Sequence, residues 1–165
     1  NALLSGIEKG LEETRGRSTG NERLLAVADR GRAALAEACD QLVERALPDV
    51  AMAALSVEGG ELHVVSAGAV RVYLHRGGKP QRLTPRDEPV GGILRSRVAH
   101  CASALEPGDL VLAGSTTAFS IRAISQVVSV LQQDPRTPPS VLASVLTEPA
   151  GQAGVGAAAA VLRVV

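Results

Sequence analysis

The most informative part of the chain is Val50–Gly78, which reads VAMAALSVEGGELHVVSAGAVRVYLHRGG. Apolar and polar residues alternate here with a period of two, which is typical of half-buried β-strands. Glycine pairs interrupt the pattern, and glycine is favoured in tight turns. The stretch therefore predicts an antiparallel meander of three strands, at Val50–Val57, Leu62–Ala67 and Val70–His75, with turns at Glu58–Gly60 and Gly77–Gly78.

Helical spacing precedes the meander. A short helix is predicted over Ala2–Thr14, followed by a turn-rich linker over Arg15–Gly20. A long amphipathic helix then runs from Asn21, its predicted N-cap, to about Leu47. Its charged residues share one face, so the opposite stripe is expected to face the sheet. That stripe contains Leu24, Leu35, Cys39 and Leu42.

After the meander the sequence predicts two strands, two helices and a last strand. The strands Arg97–Leu105 and Leu110–Ala113 form an expected pair, joined by a tight turn at Glu106–Asp109. Apolar residues at helical spacing follow over residues 121–131 and 141–146, and the chain closes on Ala157–Val165, a small-residue strand predicted to be central and buried. The order favours a single α+β domain over residues 1–165, with antiparallel β-sheets flanked by helices in layers.

The composition narrows the possible functions. The chain has 165 residues with 17 basic and 17 acidic side chains, no Trp, one Tyr and one Phe. A balanced charge and so few aromatic rings argue against a nucleic-acid partner. No apolar run is long enough for a membrane span, so we expect a cytoplasmic protein without a membrane partner. The excess of Arg over Lys indicates a GC-rich, bacterial genome, and the start at Asn1 favours a module of a longer chain.

Common catalytic motifs are absent from the sequence. There is no phosphate-binding GxxxxGK[ST] loop, no HExxH and no GxSxG, and no catalytic or metal-binding residue can be assigned. The histidines His63, His75 and His100 lie in predicted strands without ligand spacing, so each is interpreted as a partly exposed strand residue. Asp87-Glu88 is an acidic pair interpreted as part of a solvated loop.

Three segments resemble, in order, the metal-dependent type 2C (PPM) serine/threonine protein phosphatases. Ser66–Thr84 (SAGAVRVYLHRGGKPQRLT) is similar to the family's Gly-Asp-Ser-Arg hairpin and the strand after it. Leu105–Ser115 (LEPGDLVLAGS) resembles the family's Pro-Gly-Asp turn and the strand that leads to its Ser-Asp-Gly motif. Gly156–Val164 (GAAAAVLRV) resembles the family's last strand, which begins with Asp-Asn. The resemblance implies a β-sandwich flanked by helices, with two Mg²⁺ or Mn²⁺ ions held by Asp side chains.

The acidic positions of the resemblance are neutral in this chain. Ala69 stands at the hairpin Asp, Thr116 at the Asp of Ser-Asp-Gly, and Gly156 at the Asp of the last strand. Hard divalent cations require carboxylate oxygens, which these residues lack. The resemblance therefore implies a catalytically inactive relative that binds no metal cofactor.

Three functions remain open. The first is a protein-binding or regulatory module in signalling, with a partner such as a kinase or a phosphoprotein. The alternative is a divergent serine/threonine phosphatase whose Mg²⁺ or Mn²⁺ ligands come from an upstream segment. The third is a structural role, in which an open sheet edge forms a homodimer.

Overall fold

The computed structural model describes residues 2–16, 19–41, 49–86 and 91–165. The chain divides into two compact units, one formed by Asn1–Ala69 with Asp87–Ala104 and the other by Val70–Arg86 with Leu105–Val165. The regular elements of the described residues are α1 (Ala2–Glu13), α2 (Gly20–Asp40), β1 (Met52–Glu58), β2 (Glu61–Ala67), β3 (Val70–Arg76), β4 (Lys79–Arg82), β5 (Ala99–Ala104), β6 (Leu110–Ser115), a 3₁₀ turn (Thr116–Phe119), α3 (Ile121–Gln133), α4 (Pro139–Gln152) and β7 (Ala159–Arg163).

The first unit packs α2 against an antiparallel sheet with the order β1-β2-β5. Its core joins one face of α2, including Leu24, Leu35 and Cys39, to the sheet residues Met52 and Val65. The predicted buried stripe of this helix is therefore confirmed at these three positions, while Leu42 and the predicted continuation of the helix to residue 47 lie outside the described residues.

The second unit contains an antiparallel sheet with the order β4-β3-β6-β7, together with α3 and α4. Its core gathers Leu110 and Leu112 of β6, Phe119 of the 3₁₀ turn, and the apolar faces of the two helices. The rings of Tyr73 and Phe119 lie with their centroids 5.0 Å apart. The two units together confirm the predicted α+β class with antiparallel sheets and helices. None of the described helices combines the length and the apolar character required to span a membrane.

The predicted strand pairing is wrong in two places. β3 does not continue a meander from β2, since β2 pairs with β1 and β5, whereas β3 pairs with β4 and β6. The turn at Glu106–Asp109 forms, but it links strands of different sheets instead of a pair. A period of two reports which residues alternate in burial, and it carries no information about which strand lies beside which.

A close backbone approach explains why the chain leaves the sheet after β2. Gly68 has a φ of +80°, and a Cβ atom there would lie 2.6 Å from the carbonyl oxygen of Gly91 and 2.7 Å from the Cα of Gly92. The next residue, Ala69, donates its N–H to Gly91 O at 3.2 Å. The segment around Gly68 is therefore bonded to a distant loop and does not form a hairpin with the strand that follows.

The last strand forms within the predicted range, but its predicted central and buried position is wrong. β7 begins at Ala159, lies at the edge of its sheet among the described strands, and exposes Ala160 and Leu162. The close contact in this region requires a small residue in β6 and not in β7, because a Cβ atom on Gly114 would overlap the backbone carbonyl oxygen of Ala158. The predicted N-cap at Asn21 is corrected too: α2 starts at Gly20, and Thr19 caps it in a capping box with Glu22.

Candidate functional site

The segments that follow β6 and precede β7 meet in the second unit. The hydroxyl of Thr117 donates to the carbonyl oxygen of Gly156 at 2.8 Å and lies 2.8 Å from the hydroxyl of Ser115. The Ser115 hydroxyl in turn accepts the N–H of Ala158 at 3.1 Å. We call this set of hydrogen bonds the neutral network, since it contains only hydroxyl and backbone groups.

The three sequence-predicted positions are placed differently. Thr116 is the first residue of the 3₁₀ turn, and Gly156 is exposed. Because the next residue, Thr117, is hydrogen-bonded to Gly156, these two positions lie close to each other. Ala69 belongs to the first unit, where its N–H is bonded to Gly91 O. A Cβ atom added at Gly156 would meet no atom within 4 Å, so a larger side chain fits there without displacing its surroundings.

The residues at these positions do not fit a divalent metal ion. The neutral network offers hydroxyl and carbonyl oxygens without a single charge, whereas Mg²⁺ and related hard cations are held through carboxylates. Within residues 2–16, 19–41, 49–86 and 91–165, no three His, Cys, Asp or Glu side chains converge in a way that could hold a metal ion. The acidic pair Asp87-Glu88 lies outside the described residues.

The buried acid of the second unit has a structural partner. Asp109 is only 2% exposed and forms a bidentate ion pair with Arg76, with N–O distances of 2.9 and 2.6 Å. Its carboxylate also accepts the N–H of Glu106 at 2.8 Å. The hydrogen bond from Arg76 lowers the pKa of Asp109 and outweighs the opposing effect of burial. Asp109 therefore fixes the Pro-Gly-Asp turn.

Asp49 plays a comparable part in the first unit. Burial raises the pKa of its carboxyl group, but hydrogen bonds from the backbone N–H groups of Leu94, Gly92 and Val50 lower it, as does the charge of Arg95, and the net effect is a lowered pKa. The hydrogen bonds from Gly92 and Leu94 measure 2.8 and 3.0 Å, and they connect the segment that contains these two residues to the residue Asp49 shortly before β1. The carboxylate serves as a backbone anchor.

The histidines do not form one site. His63 and His100 stack with ring centroids 6.3 Å apart; His63 is partly exposed, as predicted, and His100 is exposed. The prediction for His75 is wrong, because it is buried, with 9% exposed, and its Nε2 has no hydrogen-bond partner among the residues that the structure describes. Its position two residues after Tyr73, on the same face of β3, is the signal that could have revealed this burial.

Comparisons of the fold identify its architecture. The serine/threonine phosphatase PstP/Ppp of Mycobacterium tuberculosis superposes with a TM-score of 0.74 and 18% identity, covering 98% of this chain and 81% of that one. The chain has the fold of the PPM-type serine/threonine phosphatases. PppA, a key regulatory component of T6SS in Pseudomonas aeruginosa, has a TM-score of 0.72 and 18% identity, with 98% and 78% covered.

The PPM fold is also present in a PstP catalytic domain in complex with two manganese ions, with a TM-score of 0.67, 19% identity, and 97% and 79% covered. At these identities the likeness concerns the fold alone. No sequence-family model matches the chain, and no curated protein sequence does either.

Proposed function

We propose that the chain is a catalytically inactive domain of the PPM fold that acts in the cytoplasm as a protein-binding or regulatory module in signalling. The observation that carries this proposal is the neutral network, in which Thr117 donates to Gly156 at the place where the resemblance calls for acids. A hydrolase that depends on two metal ions needs them to lower the pKa of the attacking water. A set of hydroxyl and carbonyl oxygens does not supply the charge that holds such ions.

Exposed apolar side chains beside the neutral network support a protein partner. Ile121, at the start of α3, is 88% exposed, and Val155, directly before Gly156, is 48% exposed. Both lie within four residues, along the chain, of the Thr117–Gly156 bond. We propose that these two side chains belong to one apolar surface that a partner covers, since contiguous exposed apolar surface is typical of sites that bind other proteins. A kinase or a phosphoprotein is the class of partner that a retained phosphatase fold would suit.

The catalytic part of the proposal is tested by hydrolysis of para-nitrophenyl phosphate with and without Mn²⁺. We expect the purified chain to give the same rate as a metal-stripped blank. Turnover that rises with Mn²⁺ would establish the divergent phosphatase instead, with ligands from another segment.

The binding part is tested by cross-linking in cells that express the chain, followed by mass spectrometry. We expect Ile121→Asp to remove a defined set of cross-linked proteins, because it places a charge on the exposed apolar surface. Val57→Asp is the matched control, since Val57 is 58% exposed but belongs to the first unit. Equal loss in both variants, or loss in neither, would contradict a partner at this surface. Light scattering distinguishes a heterologous partner from a homodimer formed by the chain itself.

A further inference from the structure

The sheet of the second unit ends in two strands of different character, β4 and β7. Each pairs with a neighbour on one side and with no described strand on the other. Edge strands commonly carry charged residues or proline, which hinder pairing with a further strand. β4 has the sequence KPQR and fits this rule, whereas β7 has the sequence AAVLR, with Arg163 as its only charge. The edge at β7 therefore lacks the protection that the edge at β4 has.

The single charge of β7 is directed away from its exposed side-chain face. The terminal nitrogens of Arg163 donate to the carbonyl oxygens of Pro135 and Thr137, between α3 and α4, at 2.9 and 2.8 Å. Neighbouring residues of a strand point to opposite faces of the sheet. On the other face of β7, Leu162 is 53% exposed and Ala160 is exposed as well. This face of the strand is apolar and carries no charge.

The main-chain hydrogen bonds to β6 determine which groups of β7 point outwards. Ser115 donates its N–H to the carbonyl oxygen of Ala158, and Val164 donates its N–H to the carbonyl oxygen of Asp109, both at 2.9 Å. Successive residues of an antiparallel strand direct their main-chain groups to opposite sides. Because these even-numbered residues bond to β6, the N–H and C=O groups of the three odd-numbered residues of β7 line the open edge.

We propose that the open edge of β7 pairs with β7 of a second copy of this chain, in an antiparallel register centred on Val161. In this register Val161 lies opposite Val161 of the second copy, and Ala159 lies opposite its Arg163. The outward main-chain groups then face each other in every such pair, as two-fold symmetry requires. Leu162 packs on Ala160 of the second copy, and no two like charges lie opposite each other.

A second copy is the occupant that this edge favours, because β7 matches itself in main-chain donors and acceptors, in apolar side chains and in charge. One strand pair buries less area than a standard protein interface, so the dimer is expected to be weak. We expect a Kd of about 10–100 µM. The proposal does not rest on the proposed function, since it concerns this edge whether or not the domain hydrolyses phosphate.

Sedimentation velocity of the purified chain tests the dimer, at concentrations from about tenfold below to about tenfold above this Kd. We expect the average mass to rise from that of one chain towards that of two. Leu162→Lys places a charge on the exposed face of the edge and should raise the Kd at least about tenfold. Val57→Lys is the matched control, because Val57 is 58% exposed in β1, an edge strand of the other sheet, and should leave the Kd unchanged. A chain that stays monomeric throughout would overturn the proposal, as would a dimer that the two variants affect equally.

Disulfide formation tests the register. Chains with Ala160→Cys are mixed with chains with Leu162→Cys in the presence of oxidised glutathione, and both carry Cys101→Ser because Cys101 is partly exposed. Opposite positions of a non-hydrogen-bonded pair have Cα atoms about 4.5 Å apart, within the range that a disulfide spans. We expect the mixture to form a cross-linked dimer of one chain of each kind, and each variant alone to form far less. Absence of this dimer, or equal cross-linking in the separate variants, would refute the register.

Discussion

Replacing Asp109 with Asn should destabilise the protein by about 2–3 kcal/mol at neutral pH. The carboxylate is 2% exposed and accepts two N–H groups of Arg76 and one of Glu106, whereas an amide offers a single oxygen and sets a donor against the guanidinium. Hydrogen bonds to charged groups contribute about 1.5–3 kcal/mol each, but Arg76 is 38% exposed, so water replaces part of the loss. For a chain of this length the change corresponds to a fall in Tm of about 4–12 °C.

The pH dependence of this difference has a defined sign. The pKa of Asp109 is lowered in the folded state, so the stabilisation is complete above the unfolded pKa of 3.8 and is lost as the pH falls through the lower folded value. Thermal or urea unfolding of both proteins should show a constant gap above about pH 5 that narrows below pH 4. Glu106→Gln is the control, because this partner of Arg76 is 64% exposed and should contribute less than about 1 kcal/mol. A gap that grows on acidification, or an equal effect of Glu106→Gln, would refute the reasoning.

Three further changes test the fold and the neutral positions. Leu35→Asp puts an unpaired charge at a 7% exposed position and should cost about 4 kcal/mol or more, so unchanged thermal melting would show that the assigned face of α2 is wrong. Gly114→Ala should cost about 1–3 kcal/mol in urea unfolding because its Cβ overlaps Ala158 O, and an unaltered midpoint would count against the close approach. In a protein with Thr116→Asp and Gly156→Asp, Mn²⁺ at tenfold excess over its Kd should raise the Tm by about 3–5 °C. The control, with both positions changed to Asn, should show no change in Tm with Mn²⁺. A shift in both proteins, or in neither, would contradict the assignment of these two positions to the family's metal-binding acids.

Local patterns in the sequence predicted the elements better than their arrangement. The stripe Leu24–Leu35–Cys39 and the turn at Gly77–Gly78 follow from periodicity and turn chemistry, which neighbouring residues determine. The separation of β2 from β3 depends on a hydrogen bond between Ala69 and Gly91, 22 positions away, which no local pattern reports. Long-range contacts of this kind decide pairing and register.

The candidate site could be predicted only in part for the same reason. The sequence alone singled out Thr116 and Gly156 through a resemblance, and the Thr117–Gly156 hydrogen bond brings these positions together. The burial of His75 was missed although Tyr73, two residues earlier, lies on the same face of β3. The sequence does not show that the core of the helices covers this face, and the packing of Tyr73 against that core does.

A calorimetric titration of the unmodified chain with Mn²⁺ tests most directly the proposal that this PPM-fold domain has no metal-dependent chemistry. The neutral network of Ser115, Thr117, Gly156 and Ala158 predicts only the heat of dilution at micromolar Mn²⁺. The Thr116→Asp, Gly156→Asp protein is the positive control in the same buffer. Saturable heat from the unmodified chain, with a stoichiometry near one or two ions, would contradict the proposal and establish a metal site.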